Sequence, residues 1–349
     1  MGKVVTFTQP RQIDVTAYEE GSLEPEKVRL RTLYSGISAG TELTAYRGSN
    51  PYLHKRWDVE RKLFVPSDSP DLQYPVSGWG YEEVGEVVEV GDAVEGVEVG
   101  DVVYGTWGHR SHHTVTAAYA RARVLPKNLK PVLGIFSQIG AIALNGVHDA
   151  RIRIGETVAV FGLGVPGQIV AQLATASGAR VIGIDLFDKR LETATALGAI
   201  DVAISAAEGS VAEKIRELTD NRGADVAIEA SGSTRALHEA IRTVAYSAKV
   251  VALGFYQGAA QGLFLGEEFH HNRVNVLVSQ IFGVDPELTY RWNSLRLVQT
   301  FMRLQAEEKL TLEPLITHIC SYNEADEAFR ILDQKPEEAL QVVLDFTHS

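Results

Sequence analysis

Six residues, Gly162-Leu163-Gly164-Val165-Pro166-Gly167, match the pattern G-x-G-x-x-G. They directly follow the apolar run Val158-Ala159-Val160-Phe161 and open a stretch of helical spacing, and Asp185 ends the next apolar run 23 positions after Gly162. In that strand–turn–helix setting the pattern is a dinucleotide-binding fingerprint. Gly162 permits the tight turn, Gly164 lets the backbone approach a pyrophosphate, and Gly167 allows close helix–strand packing. The diphosphate would sit at the positive end of the helix dipole beside Val165 and Pro166, where a missing proline N–H costs little. Asp185 would accept hydrogen bonds from the adenosine ribose hydroxyls and repel a 2′-phosphate, so NAD is expected over NADP. Lys189 and Arg190, just beyond, would blunt that repulsion, and a plain turn-capping role for Asp185 is the alternative.

Imidazoles are concentrated at His109, His112 and His113, with Glu82 as a possible neighbour. Such a cluster can relay protons near neutral pH, and whether it could also hold a metal is left open. Two more groups carry charge and rings together: Glu267-Glu268-Phe269-His270-His271-Asn272-Arg273 and Arg291-Trp292-Asn293. Both fit either the mouth of a substrate cleft or a packing or subunit contact.

The elements that must position these residues fall into two textures. Val28 to Leu33 alternates with period two, and Gly85 to Gly91 and Val97 to Val103 are β-branched runs bounded or broken by glycine, so the first third reads as β-structure. Residues 46 to 74 interrupt it as a long loop or insertion; its Tyr46, Arg47, His54, Arg56 and Trp57 make it a candidate lid. From Glu156 onward, apolar strands (Val158–Phe161, Val181–Asp185, Val202–Ile204, Val226–Ile228, Val250–Leu253, Val274–Ser279) alternate with helical stretches. That alternation predicts a doubly wound parallel sheet covered on both faces. Helices at Leu295–Glu308 and Glu324–Leu332 and a last strand at Gln341–Phe346 complete the chain.

Across nearly its whole length the sequence resembles the medium-chain dehydrogenase/reductase superfamily, whose members join a GroES-like β-rich domain to a Rossmann domain. The resemblance rests on Gly36-Ile37-Ser38-Ala39-Gly40-Thr41-Glu42-Leu43, Gly80-Tyr81-Glu82-Glu83-Val84-Gly85, Val99-Gly100-Asp101-Val102-Val103, and the run Gly223 to Gly232. Pro314-Leu315-Ile316-Thr317-His318 and Glu327-Ala328-Phe329 belong with them. Within the superfamily it is most similar to the polyol and threonine dehydrogenase-like branch, near the bacteriochlorophyllide hydroxyethyl dehydrogenases. The resemblance implies a GroES-like domain over residues 1–127, a Rossmann domain over 128–281 and a return segment over 282–349. It also implies that Ser231 and Gly254 lie beside the nicotinamide, and that the chain forms a homodimer or homotetramer.

One family feature is missing. Where zinc-dependent members carry a cysteine, a histidine and an acidic or cysteine ligand, this chain has Ser38, Tyr81 and a position near Gln138. Zinc needs thiolate, imidazole or carboxylate donors, so no metal is expected. Tyr81 should then point into the former metal pocket as a hydrogen-bond donor to substrate, with His109 as the second candidate and Thr41 and Ser38 as orienting groups. The reading is an NAD(H)-dependent, zinc-independent oxidoreductase acting on a secondary alcohol, polyol or sugar-like small molecule. Its rivals are an NAD(P)H-dependent enoyl or quinone reductase and a dinucleotide-binding protein without catalysis.

Composition agrees. The 349 residues carry a formal net charge of −12, are 45% hydrophobic and 22% charged, and have a pI near 5.4. This argues against nucleic acid or an anionic membrane as partner. No apolar run is expected to span a bilayer, and the start MGKVVTFTQP does not read as a signal peptide, so a cytoplasmic enzyme is expected. The single cysteine, Cys320, permits no intramolecular disulfide and is expected to be a buried, inert thiol.

Overall fold

The computed structural model describes residues 1–281 and 283–348. It divides into two compact units: Met1–Gln138 together with the chain from Ile316 onward, and Ile139–Leu315.

The first unit begins with β1 (Gly2–Gln9), β2 (Gln12–Tyr18), β3 (Lys27–Ile37), α1 (Ala39–Arg47), β4 (Lys55–Asp58), β5 (Leu63–Pro66) and β6 (Val76–Ser77). It continues with β7 (Glu83–Val90), β8 (Val102–Gly105), β9 (His112–Thr116) and α2 (Ala117–Arg121). Helix α3 (Phe136–Ala150) follows. The second unit holds β10 (Thr157–Phe161), α4 (Val165–Ala176), β11 (Arg180–Asp185), α5 (Asp188–Ala196), β12 (Val202–Ser205), α6 (Val211–Leu218) and β13 (Ala224–Glu229). Then come α7 (Thr234–Thr243), β14 (Val244–Ala252), β15 (Asn275–Val278) and α8 (Ser294–Ala306). Strand β16 (Ile316–Ser321), α9 (Ala325–Gln334) and β17 (Gln341–Asp345) return to the first unit.

In the first unit, β3 organises the largest sheet, ordered β16-β17-β3-β7-β8, with β9 also on β3. Its alternation works as period two requires: Val28, Leu30 and Thr32 are buried, while Arg29 and Arg31 pair outward with Glu89 at 2.8 Å and Glu86 at 2.6 Å. Strand β17 lies between β16 and the C-terminal half of β3, antiparallel to β3, with Val343 opposite Gly36. A second sheet, β2-β1-β6, completes the β-rich domain. Between them is an aromatic core in which Phe329 meets Phe7 at 5.1 Å and Tyr46 at 5.6 Å between ring centroids. Helix α9 reaches it through Ala325, Ala328, Phe329 and Leu332, the i, i+3, i+4, i+7 stripe of an amphipathic helix.

The second unit is a six-stranded parallel sheet in the order β12-β11-β10-β13-β14-β15. This is the Rossmann order, and its reversal point falls between β10 and β13. Every residue of β10 is buried, as expected for a strand covered on both faces.

Several expectations need correction. The division falls at 138/139 and 315/316 rather than at 127/128 and 281/282. The physical reason is α8, whose buried Phe301 ring lies against Gly140 of α3, so this helix belongs to the nucleotide unit. The two end residues of the predicted return segment, Phe282 and Ser349, lie outside the described residues. Within the run Val97 to Val103 only Val102 and Val103 are strand, because Asp101 accepts the Glu98 N–H at 2.9 Å and Gly100 takes a φ of +95°, making a turn. The insertion is not a bare loop: it folds as the hairpin β4–β5, and Tyr46 and Arg47 are not lid residues. Tyr46 is buried in the core and Arg47 pairs with Asp333 at 2.5 Å. Cys320 is only half-buried. By length and composition Pro131–Ala150 could cross a membrane, contrary to the expectation that no run could. Its Ile135, Phe136, Ala141, Ala143 and Leu144 are buried in protein.

Candidate active site

In the first unit, β3 ends where α1 begins, and Ser38 is the N-cap of that helix. Its hydroxyl makes no capping bond. Instead Ser38 Oγ is hydrogen-bonded to the Tyr81 hydroxyl, and Thr41, one turn into α1, also bonds the phenol. Three of the four sequence-derived catalytic candidates are therefore assembled as one hydroxyl cluster, with Thr41 and Tyr81 half-buried and Ser38 buried. Burial, reinforced by the charge of Glu82, pushes the Tyr81 phenol above its ordinary pKa, while the hydrogen bonds from Ser38 and Thr41 oppose the rise. Tyr81 is thus a phenol, able to donate, throughout the neutral range.

Beneath the cluster lies a network that the sequence reading did not identify. Glu42, from α1, accepts the Ser38 backbone N–H at 2.9 Å through one oxygen and meets His109 Nε2 at 2.5 Å through the other. The second ring nitrogen of His109 is 2.7 Å from Ser35 Oγ, which donates to Glu83 at 3.0 Å. The other oxygen of Glu83 accepts the Trp107 N–H at 2.6 Å. Glu82 accepts from Gln341 of β17 at 3.1 Å. All of these side chains are buried.

Three carboxylates around one imidazole cannot all be ionised at low cost. Burial, with the charges of Glu42 and Glu83 adding to it, holds the Glu82 carboxyl well above the usual carboxylate range. Burial also raises Glu83, against the opposing charge of His109. Burial alone would lower His109, but the charge and hydrogen bond of Glu42 and the charge of Glu83 outweigh it and raise the imidazole.

This placement corrects the expectation for His109. Fully buried, with both nitrogens occupied, it cannot touch a substrate, and its link to Ser38 runs through a backbone N–H that cannot pass a proton along. It positions Ser38 through Glu42. The three histidines also fail to converge: His112 approaches Glu20 at 3.4 Å, and His113 stacks on Trp107 at 6.0 Å. Neighbours on a strand point to opposite faces, so this outcome was readable once β9 was recognised.

The donor set at Ser38 and Tyr81 does not fit zinc. Both groups are neutral hydroxyls bonded to each other, Glu42 and Glu82 spend oxygens on protein donors, and thiolate is lacking. Among the described residues, the one group of three converging metal-type ligands lies elsewhere, in the second unit.

The second unit carries the nucleotide-binding half. Gly162 takes a φ of +83°, and a β-carbon there would lie 2.6 Å from that of Ser231. A β-carbon on Gly167 would collide with the Gly162 carbonyl, so the helix meets the strand only with glycine there. At Gly164, the N-cap of α4, an added β-carbon would find only Arg190 Nη1 at 3.9 Å, so the backbone is open to a ligand. Val165 and Pro166 begin the helix, leaving first-turn N–H groups directed outward, and these residues fit a dinucleotide diphosphate.

Asp185 is buried and accepts the Leu163 N–H at 2.6 Å and the Phe187 N–H at 2.9 Å. It ties the glycine turn to the end of β11 and caps the next turn, as the alternative reading expected. Arg190 stands 3.8 Å from it and stacks over Phe187 at 4.8 Å.

Ser231 and Gly254 meet around another residue missed in the sequence, Glu229. This buried carboxylate at the end of β13 accepts from Ser231 N at 2.8 Å, Gly232 N at 3.1 Å, the Ser231 hydroxyl and the Tyr256 hydroxyl. Burial pushes its carboxyl up, and these bonds pull it down. Glu229 thus shapes the loop opposite Gly162 at the sheet's reversal point, where nucleotides bind in such sheets. A signal existed: an acidic residue closing the apolar run Val226-Ala227-Ile228 demands partners.

Comparison with known proteins agrees with the fold. Residues 166–299 match the family described as zinc-binding dehydrogenase. Over 99% of its length the chain is 30% identical to D-guloside 3-dehydrogenase of Escherichia coli K12, all of which is covered. It is 28% identical to (R,R)-butanediol dehydrogenase of Bacillus subtilis, over 81% of the chain and 84% of that protein. Among solved structures it is similar to an alcohol dehydrogenase of E. coli CFT073 in complex with NADH, with a TM-score of 0.76, 20% identity and 99% coverage of both chains.

Proposed function

The chain belongs to the medium-chain dehydrogenase/reductase superfamily as an oxidoreductase acting on CH–OH groups, and from that premise we propose that it oxidises a secondary hydroxyl of a sugar-like substrate with NAD, without zinc at the reacting oxygen. The observation that carries the zinc-free part is the direct hydrogen bond between Ser38 and Tyr81. Family members use nicotinamide cofactors, and the bound ring supplies hydride acceptance or donation. NAD rather than NADP is supported by the position of Asp185 at the end of β11, where its carboxylate, although engaged by the Leu163 and Phe187 N–H groups, would repel a 2′-phosphate. The full-length similarity to a guloside 3-dehydrogenase supports a ring hydroxyl.

In this reading Tyr81, kept protonated by burial, donates a hydrogen bond to the substrate oxygen. An alkoxide is a far stronger base than a phenolate, so Tyr81 delivers the proton in the reducing direction, and by reversal its phenolate form accepts the hydroxyl proton in the oxidising direction. Ser38 holds the phenol oxygen, and Glu42 fixes the Ser38 backbone. Such acid–base assistance is worth about 10²–10⁴ in rate. Assembly into a homodimer or homotetramer is part of the same proposal, supported by exposed Val276, Leu277 and Val278 on the edge strand β15.

The test is turnover of glycosides and polyols by chelator-stripped protein with NAD+ and with NADP+. Retained activity, faster with NAD+, is expected. Activity that vanishes on stripping and returns with zinc, together with a zinc-edge X-ray absorption spectrum that changes on Tyr81→Phe, places zinc at the reacting centre and overturns the zinc-free mechanism. Tight NADH binding with no turnover on any alcohol, ketone or enone leaves the non-catalytic reading standing.

A further inference from the structure

A cluster in the nucleotide-binding unit takes no part in the chemistry above. Helix α7 presents His238, Glu239 and Arg242 on neighbouring turns, and the kinked segment Leu265–Phe269 packs against it. The kink falls at Glu267, whose φ of −99° and ψ of −125° leave the helical region. As a result Glu267 and Glu268, adjacent in sequence, both offer a carboxylate oxygen toward His238, and the three ligand atoms lie within 4.8 Å of one another.

Two further features ask for a cation. The Nδ1 of His238 and one oxygen each of Glu268 and Glu239 are buried atoms without a hydrogen-bond partner, and buried polar atoms in native proteins are nearly always partnered. The charges do not balance either. Arg242 bridges Glu239 at 2.6 Å and Glu268 at 3.2 Å, so one guanidinium faces three carboxylates when Glu267 is included. Two negative charges remain, which a divalent cation would neutralise. Arg242 engages one oxygen of Glu268 and leaves the other, unpartnered oxygen to the site.

We propose that His238, Glu267 and Glu268 form a binding site for a divalent first-row transition cation, with zinc(II) as the probe ion. One imidazole and two carboxylates suit zinc, cobalt or manganese better than the oxygen-only set calcium and magnesium take. Ligand atoms at about 2.1 Å from a tetrahedral zinc stand about 3.4 Å apart. The present spacing, within 4.8 Å, would close to that value on binding. Three protein ligands leave a position for water. The bound ion would fasten the 265–269 turn to α7 and so restrain the intervening loop. Tyr256, Gln257, Gly258 and Gln261 of that loop line a cavity of about 310 Å³ together with Gly232 and Ser233.

The experiment is zinc titration of chelator-stripped full-length protein by calorimetry. One saturable site is expected. His238→Ala and Glu268→Gln should each weaken it at least tenfold, while His270→Ala combined with His271→Ala leaves it in place. No saturable site, affinity unchanged in the first two variants, or loss in the double histidine variant would overturn the assignment. A second measurement needs no substitution. Substoichiometric manganese should broaden the His238 ring resonances before those of His270 and His271, and the reverse order overturns the site. None of these readouts depends on turnover, so they stand or fall separately from the proposed reaction.

Discussion

Replacing Glu42 by glutamine converts one of two acceptor oxygens into a donor at the centre of the buried network, and the consequences depend on pH. In the native protein the carboxylate accepts from Ser38 N and from His109 Nε2. Its charge, with that of Glu83, raises the imidazole above the ordinary value of 6.5, although burial pulls the other way. A raised pKa means that the folded state holds a proton that the unfolded chain releases. The stabilisation is therefore fully present below about 6.5 and is lost as pH rises through the folded value. With glutamine at 42 the burial effect predominates, and His109 is expected below 6.5. Its contribution then is present above that value and is lost as pH falls.

A neutral ring still satisfies every group: Nδ1–H donates to Ser35, Nε2 accepts from the new amide, and the amide oxygen accepts Ser38 N–H. Glu42→Gln should thus cost under about 1 kcal/mol at pH 8. Glu42→Ala, by contrast, strands two buried donors at roughly 1–3 kcal/mol each. Each pKa unit separating native and variant His109 adds about 1.4 kcal/mol to the difference in pH dependence. Urea midpoints at pH 5.5 and 8, with ring-nitrogen NMR of His109, measure both quantities. The reasoning is refuted if glutamine is as damaging as alanine at pH 8, or if His109 titrates above 6.5 in the glutamine variant.

Two further outcomes follow from the site geometry. Tyr81→Phe should lower kcat at least about a hundredfold, the low side of acid–base assistance, with NADH affinity unchanged; an equal kcat in steady-state assays removes Tyr81 as donor. Gly167→Ala forces a β-carbon against the Gly162 carbonyl. An overpacking cost of about 1–3 kcal/mol falling on the turn should raise the NADH Kd about 5- to 150-fold in a fluorescence titration, and an unchanged Kd contradicts the assigned packing.

What could be read from the sequence was what is local. The glycine turn, the strands around it and the Asp185 position depend on neighbours within one βαβ unit, and strands β10 to β13 lie within a residue or two of where the apolar runs set them. Ser38 and Tyr81 stood out because a family position had changed its chemistry. The buried layer beneath them did not, since Ser35, Glu83 and Gln341 meet only through the pairing of β3 with β7 and β17, and Glu42 and His109 join them from α1 and from the segment before β9. Nothing in the immediate sequence around Glu42 or Gln341 marks either as buried. The domain limits were missed for a similar reason. No local pattern announces that Phe301 will sit on Gly140.

The position of β17 also bears on how the chain is made. The strand joins the middle of a sheet whose partner β3 leaves the ribosome 304 residues earlier, counting from Ile37 to Gln341. At about 5–20 residues per second the nascent chain waits roughly 15–60 s with one side of Ser35 and Gly36 unpaired. The nucleotide-binding segment, being continuous, can finish first. Until Gln341 arrives, Glu82 lacks its amide partner and the half-built sheet presents an open edge, the kind of surface that chaperones cover and that other half-made chains can pair with.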